Sequence, residues 1–139
     1  DGSLRKQALL PEAPDEAEIA FRGPQGKFTG VPVADMATDQ KAHLQKILRL
    51  LLEPFRQSDQ DEAVAALKKN GGLDQCHLTF YKRDDLGSDG IWDNWRLEGP
   101  AFVWHWRGAP HVHVWVHVAD SHKVELNSRN RSGPLRRKS

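Results

Sequence analysis

A single cysteine, Cys76, stands in this chain of 139 residues. One thiol excludes an intramolecular disulfide and any cysteine-based zinc knuckle. Cys76 precedes an apolar-alternating stretch and reads as a buried structural thiol, not a nucleophile. Long apolar runs are also missing: none approaches the roughly 20 residues that span a bilayer. The chain shows no secretory signal at Asp1 and no initiator methionine, so it reads as a processed product or an excised domain. Several catalytic signatures are missing: G-x-S-x-G, a Walker loop, H-E-x-x-H and a paired-carboxylate pattern. Serine hydrolase, nucleotide triphosphatase and zincin chemistries are therefore disfavoured. The scarcity of cysteine leaves the compartment open, because an exported protein can lack disulfides.

What is present suits one soluble domain with a real core, at 28% charged and 38% hydrophobic residues. The net charge of +1 is unevenly spread. Arg129, Arg131, Arg136, Arg137 and Lys138 fall in residues 127–139, which hold no acid, leaving residues 1–126 at −4. This basic tail has no apolar periodicity and is expected to be disordered. It could contact a protein partner or a larger assembly; a nucleic-acid partner is not favoured over a solvated terminus.

Residues 1–36 carry Pro11, Pro14, Pro24 and Pro32 and read as an extended, irregular N-terminal arm. Ile19, Phe21, Phe28, Val31 and Val33 are candidates to pin it down. A single α+β domain is expected over residues 37–126. Thr38 is a candidate N-cap, followed by Leu44, Ile47, Leu48, Leu51, Leu52 and Phe55 at helical spacing. Pro54 limits that helix. A second helix is expected from Ser58 or Asp59 to the stop Asn70-Gly71-Gly72. Strands follow: Cys76, Leu78 and Phe80 alternate with His77, Thr79 and Tyr81, and a further strand covers Trp92 to Glu98. A bulge or bend is expected at Gly99-Pro100, because proline cannot donate to a ladder. The fold class is thus α+β: a helical hairpin packed on an antiparallel β-meander of about four strands.

The stretch that carries chemistry is His111-Val112-His113-Val114-Trp115-Val116-His117. In a strand, successive side chains alternate between faces, so His111, His113, Trp115 and His117 share one face and the valines the other. Upstream, Phe102-Val103-Trp104-His105-Trp106 is joined to this run by a turn containing Gly108 and Pro110, which reads as a hairpin. With odd residues opposite odd ones, Trp104 and Trp106 join the valine face and His105 joins the histidines. Burial should select this register, since a one-residue slip moves a whole apolar set to the wrong side. His105, His111 and His113 are then the candidate metal ligands, for zinc, copper or iron. His117, His77 and Trp115 are possible additions, Trp115 as a wall or stacking platform. Glu98 and Asp120 are candidate bases or ligand-orienting groups. His43 and His122 read as incidental.

Gly30-Val31-Pro32-Val33-Ala34-Asp35-Met36, Gly72-Leu73-Asp74, Trp95-Arg96-Leu97-Glu98-Gly99-Pro100 and His111-Val112-His113 together resemble a bacterial family, domain-of-unknown-function number 3500. Its pattern is R-x-x-G-P, an aromatic-aliphatic strand, then H-x-H, and the resemblance covers about residues 21–120. It implies an exported or periplasmic protein and a focus on the His111/His113 pair, with no settled activity. The family often has an acidic residue where this chain has His105, so the resemblance implies either a swapped metal ligand or an altered site there. The leading expectation is a metal-binding domain with metal-activated water or oxygen chemistry open to it. The alternative is a non-enzymatic binding or assembly module of a larger exported protein.

Overall fold

The structure, a computed structural model, describes residues 2–126; the basic tail at 127–139 lies outside them. The chain folds as α+β, with three α-helices and a mixed sheet. In order they are α1 (Gly2–Ala8), β1 (Leu9–Leu10), β2 (Val31–Pro32), α2 (Thr38–Leu52), α3 (Gln57–Lys69), β3 (His77–Tyr81), β4 (Asn94–Gly99), β5 (Phe102–Arg107) and β6 (His113–Val118). Single 3-10 turns lie at Glu16–Glu18, Val33–Asp35 and Leu73–Gln75. The N-terminal segment is thus less irregular than its prolines suggested. It contributes one helix and two strands too short to show periodicity.

Helix α2 forms where the apolar spacing places it and buries Leu44 and Leu48. Its cap differs from expectation: Thr38 is already helical, and the Gln40 side chain accepts from the Ala37 N–H at 2.9 Å. The helix closes at Leu52, two residues before Pro54, whose ring could not continue it. Helix α3 stops at Asn70 with Gly71 and Gly72 at φ 95° and 72°. The Gly72 N–H reaches back to the Leu67 carbonyl and the Gly71 N–H to that of Lys68, each at 3.0 Å, which satisfies helix-end acceptors.

Strands β3, β4, β5 and β6 pair in sequence, each antiparallel to the last. Strand β1 pairs parallel with β3 and β2 pairs antiparallel with it, so the sheet has more than the expected four strands and is mixed. Gly99-Pro100 does not interrupt a strand. Gly99 pairs with Phe102, and Pro100-Ala101 form the tight turn of the β4–β5 hairpin, where the missing proline N–H removes no ladder bond.

Both faces of the sheet are covered. One packs Leu97, Phe102 and Trp104 against Leu44 and Leu48 of α2, with Val33 and Cys76 in the same core. The other carries Thr79, Tyr81, Asn94, Arg96, Glu98 and His105, all buried. Segment 12–30 lies over that polar face. It is held by ion pairs of Glu16 with Arg107 and Arg22 with Glu98, by Thr29 on Thr79 and by Phe28 stacked on His77 at 5.3 Å. At the Gly30 crossing of β3, φ is +84° and an added Cβ would stand 2.2 Å from the Leu78 carbonyl oxygen. Only glycine fits there. Gly30→Ala is therefore expected to destabilise by about 1–3 kcal/mol, the usual range for forced overpacking. The urea midpoint should fall with the slope unchanged, and an unaltered midpoint would show that the crossing is loose.

Candidate functional site

The hairpin register is the expected one. His105 pairs with Trp115, Trp104 with Val116, Trp106 with Val114 and Arg107 with His113. His105, His113, Trp115 and His117 share a face. The expected burial does not follow from it. Trp104 is buried, but Trp106 is only half-buried, and Val112, Val114 and Val116 are 55%, 46% and 38% exposed. His105, by contrast, is 0% exposed. The cause is topological. Strand β6 is the sheet edge, so its valines receive partial cover from the helices, while the N-terminal segment closes over His105.

Across the strands the side chains line up in rows. Thr79, Arg96, His105 and Trp115 form one row. His77, Glu98, Val103 and His117 form the next, and Asn94, Arg107 and His113 a third. His105 therefore has Arg96 on one side and Trp115 on the other, with ring centroids 5.7 Å apart in the latter pair. Arg96 Nε donates to His105 Nδ1 at 3.5 Å. A guanidinium can only donate, so Nδ1 accepts and the proton of the neutral ring sits on Nε2. Burial first, and then the Arg96 charge, press the His105 pKa down to about 4. The ring is neutral at pH 7. Glu16 Oε1, 3.6 Å from Nε2, is too far for a good hydrogen bond and acts on it chiefly as a charge.

Glu16 is the residue that organises the site, and nothing in the sequence singled it out. It opens the Glu16–Glu18 turn, which the Asp15 carboxylate caps by accepting the Ala17 N–H at 2.9 Å. Its carboxylate takes Arg107 in a two-pronged grip: Nε on Oε1, and Nη2 on Oε2 at 3.2 Å. Oε2 also lies 3.1 Å from His113 Nδ1. Partial burial works to raise the Glu16 pKa; hydrogen bonds from Arg107 and His113 outweigh it and hold the carboxyl below its usual range. The contact spans 91 residues to Arg107 and 97 to His113, so no local pattern could reveal it.

Beyond His113 the chain of contacts continues outward. His113 Nε2 and His111 Nε2 stand 2.6 Å apart, and His111 is exposed. Trp115 walls the inner side, with its ring 5.2 Å from that of His113. Of the three expected ligands, the structure brings His111 and His113 together and gives His105 other partners. Among the described residues, no group of three or more His, Cys, Asp or Glu is arranged to hold a metal ion. His117 is half-buried opposite Val103, and burial lowers its pKa. His77 lies on β3 under Phe28, with its pKa likewise lowered by burial. Glu98 shares that row and is tied to Arg22 at 3.1 Å; burial raises its pKa against the pull of Arg22 and Arg96. Asp120 pairs with Lys69 at 3.1 Å, on exposed ground. Neither acid touches the histidine pair. No known protein family, curated protein or solved structure matches the chain.

The His105 environment carries a pH signature. Its folded pKa of about 4 lies below the unfolded value of 6.5, so the folded state binds fewer protons in between. Stability from this group is full above pH 6.5 and drains as pH falls toward 4, by about 3 kcal/mol at 1.36 kcal/mol per unit. The lowered Glu16 pKa adds a loss at still lower pH, while the raised Glu98 pKa works in the opposite sense. His105→Gln should reduce the slope of the unfolding free energy between pH 6.5 and 4 in denaturant titrations, with His77 and His117 keeping the remainder. An equally steep dependence in the variant would contradict this assignment.

Proposed function

We propose that His111 and His113 form a transition-metal site at the open end of the β5–β6 hairpin, with Glu16 as the group that orients it. The supporting observation is the chain Glu16···His113···His111, at 3.1 and 2.6 Å. A metal-bound histidine characteristically donates its other ring N–H to a carboxylate, which fixes the tautomer and raises the basicity of the ligating nitrogen. Glu16 is placed to accept from His113 Nδ1, leaving the Nε2 lone pair directed at His111. Two facing Nε2 atoms at 2.6 Å share one proton between them, and a divalent cation is the natural replacement for it. Because His111 is exposed, it can swing to admit an ion at the zinc–nitrogen distance of about 2.0–2.1 Å.

Arg107 sets the competition. Its Nη2 lies 2.6 Å from His113 Nδ1. When Arg107 donates to Nδ1, the ring proton must sit on Nε2 and the ligand is masked. When Nδ1–H turns to Glu16, Nε2 is free. Metal would select the second tautomer. Two protein nitrogens leave further coordination positions for water or a ligand, one protein ligand fewer than the three of catalytic zinc sites. Imidazole suits zinc, copper, nickel and iron, and copper(II) should bind tightest. Placement of the domain in an exported protein rests on the family resemblance alone. The second reading, a binding or assembly module, has its own support in the exposed valines of the edge strand β6.

Titration calorimetry on tag-free protein tests the metal reading. His111→Ala and His113→Ala should each weaken zinc and copper binding severely. Glu16→Gln should weaken it by about 10–100-fold. His43→Ala and His122→Ala should leave it unchanged. Affinity should fall with acid, because each imidazole ligand must be neutral to bind a cation. If the wild type binds neither metal, or all variants bind alike, the metal reading fails and the binding-module reading takes its place.

A further inference from the structure

A cavity of about 430 Å³ lies between the helix pair and the β5–β6 face of the sheet, away from the histidines. Its floor is Phe102, Val116 and Val118, and its sides include Leu48 and Leu52 of α2 and Leu67 of α3. The gap has a sequence origin. Helix α3 presents Ala63 to it and Gly72 also lines it, so small residues stand where larger ones would fill the space. The size falls in the range of about 300–1,000 Å³ usual for small-molecule sites, as does a mostly apolar wall with few polar groups.

The charged residues of the wall are Arg49 and Lys68; no acid lines it. Both are exposed, and neither makes an ion pair among the described residues. A second hollow shares Ala63 and Val118 with this cavity and carries Asp59, Glu62 and Asp120 beside Lys69, with Asp120 paired to Lys69 and Asp59 to Arg56. An apolar chain with an anionic head would enter with its head toward Arg49 and Lys68, the charged groups of this wall.

We infer that this cavity is a binding site for a medium-chain fatty acid, with the alkyl chain along Phe102, Val116 and Val118 and the carboxylate at Arg49 and Lys68. The site is independent of the histidine pair. Burying each methylene contributes about 0.8 kcal/mol, so the chain supplies affinity and the two cations supply the choice of head group. An exposed ion pair is worth up to about fivefold in affinity, and two together about 2- to 25-fold.

The test is calorimetric titration of the full chain with decanoate below its micelle concentration, beside decanol and decyltrimethylammonium. Decanoate should bind at one per chain, about 2- to 25-fold tighter than decanol, with the cationic amphiphile weakest. Arg49→Gln combined with Lys68→Gln, both surface changes, should erase the preference for decanoate over decanol while keeping alkyl binding. Ala63→Phe should fill the cavity and abolish binding of both, and Ala63→Ser, which keeps the space, should retain it. Absence of saturable decanoate binding, equal affinity for decanoate and decanol in the wild type, or a preference that survives loss of both cations would overturn the assignment.

Discussion

The grip of Glu16 on Arg107 is the contact on which the rest of this structure depends. It ties the N-terminal segment to the last hairpin and so places a lid over a sheet face made of Thr79, Asn94, Arg96, Glu98 and His105. Without that lid these groups would be solvated, and the face would be an ordinary polar exterior. With it, Arg96 and His105 are 2% and 0% exposed, and the low His105 pKa follows. Burial of a charge is tolerated only where it is paired. The pairing here is Glu16 with Arg107 and Arg22 with Glu98, each from lid to sheet, while Arg96 acts on Glu98 as a nearby charge.

That same carboxylate gives the histidines unequal roles. His105 sits beneath the lid with its Nδ1 engaged by Arg96, and its chemistry is that of a neutral packed ring. His113 stands at the rim, half-buried, where its two nitrogens face opposite ways: one to Glu16 and Arg107, the other to exposed His111. A row of like residues on one strand face thus divides into a structural member and a pair poised toward solvent. The division arises from what covers each position, because the strand itself treats them alike.

The legible parts of the sequence were those with local periodicity. Leu44 and Leu48 at helical spacing, the Asn70-Gly71-Gly72 stop and the alternation through 102–118 all appear where their patterns put them. The hairpin register was legible because a slip would misplace a whole set of side chains. Burial was not legible from that alternation, since it depends on strand order and on cover from elsewhere. Val114 and Val116 look like core residues and lie on the edge strand; His105 looks like a surface residue and lies under the lid. Glu16 had no signal, being one acid among several in a proline-rich stretch, and its partners lie more than ninety positions away. The two-residue strands β1 and β2 were invisible for a similar reason: two residues carry no period.

The division between His105 and the His111/His113 pair is most directly tested by long-range ¹H–¹⁵N NMR of the imidazole rings at neutral pH, before and after zinc is added. The account predicts that His105 is the Nε2–H tautomer throughout and does not respond to zinc. It predicts that His113 in the zinc-bound protein carries its proton on Nδ1, with the Nε2 resonances of His111 and His113 both moved. A zinc response at His105, or unchanged rings at His111 and His113 under saturating zinc, would contradict it.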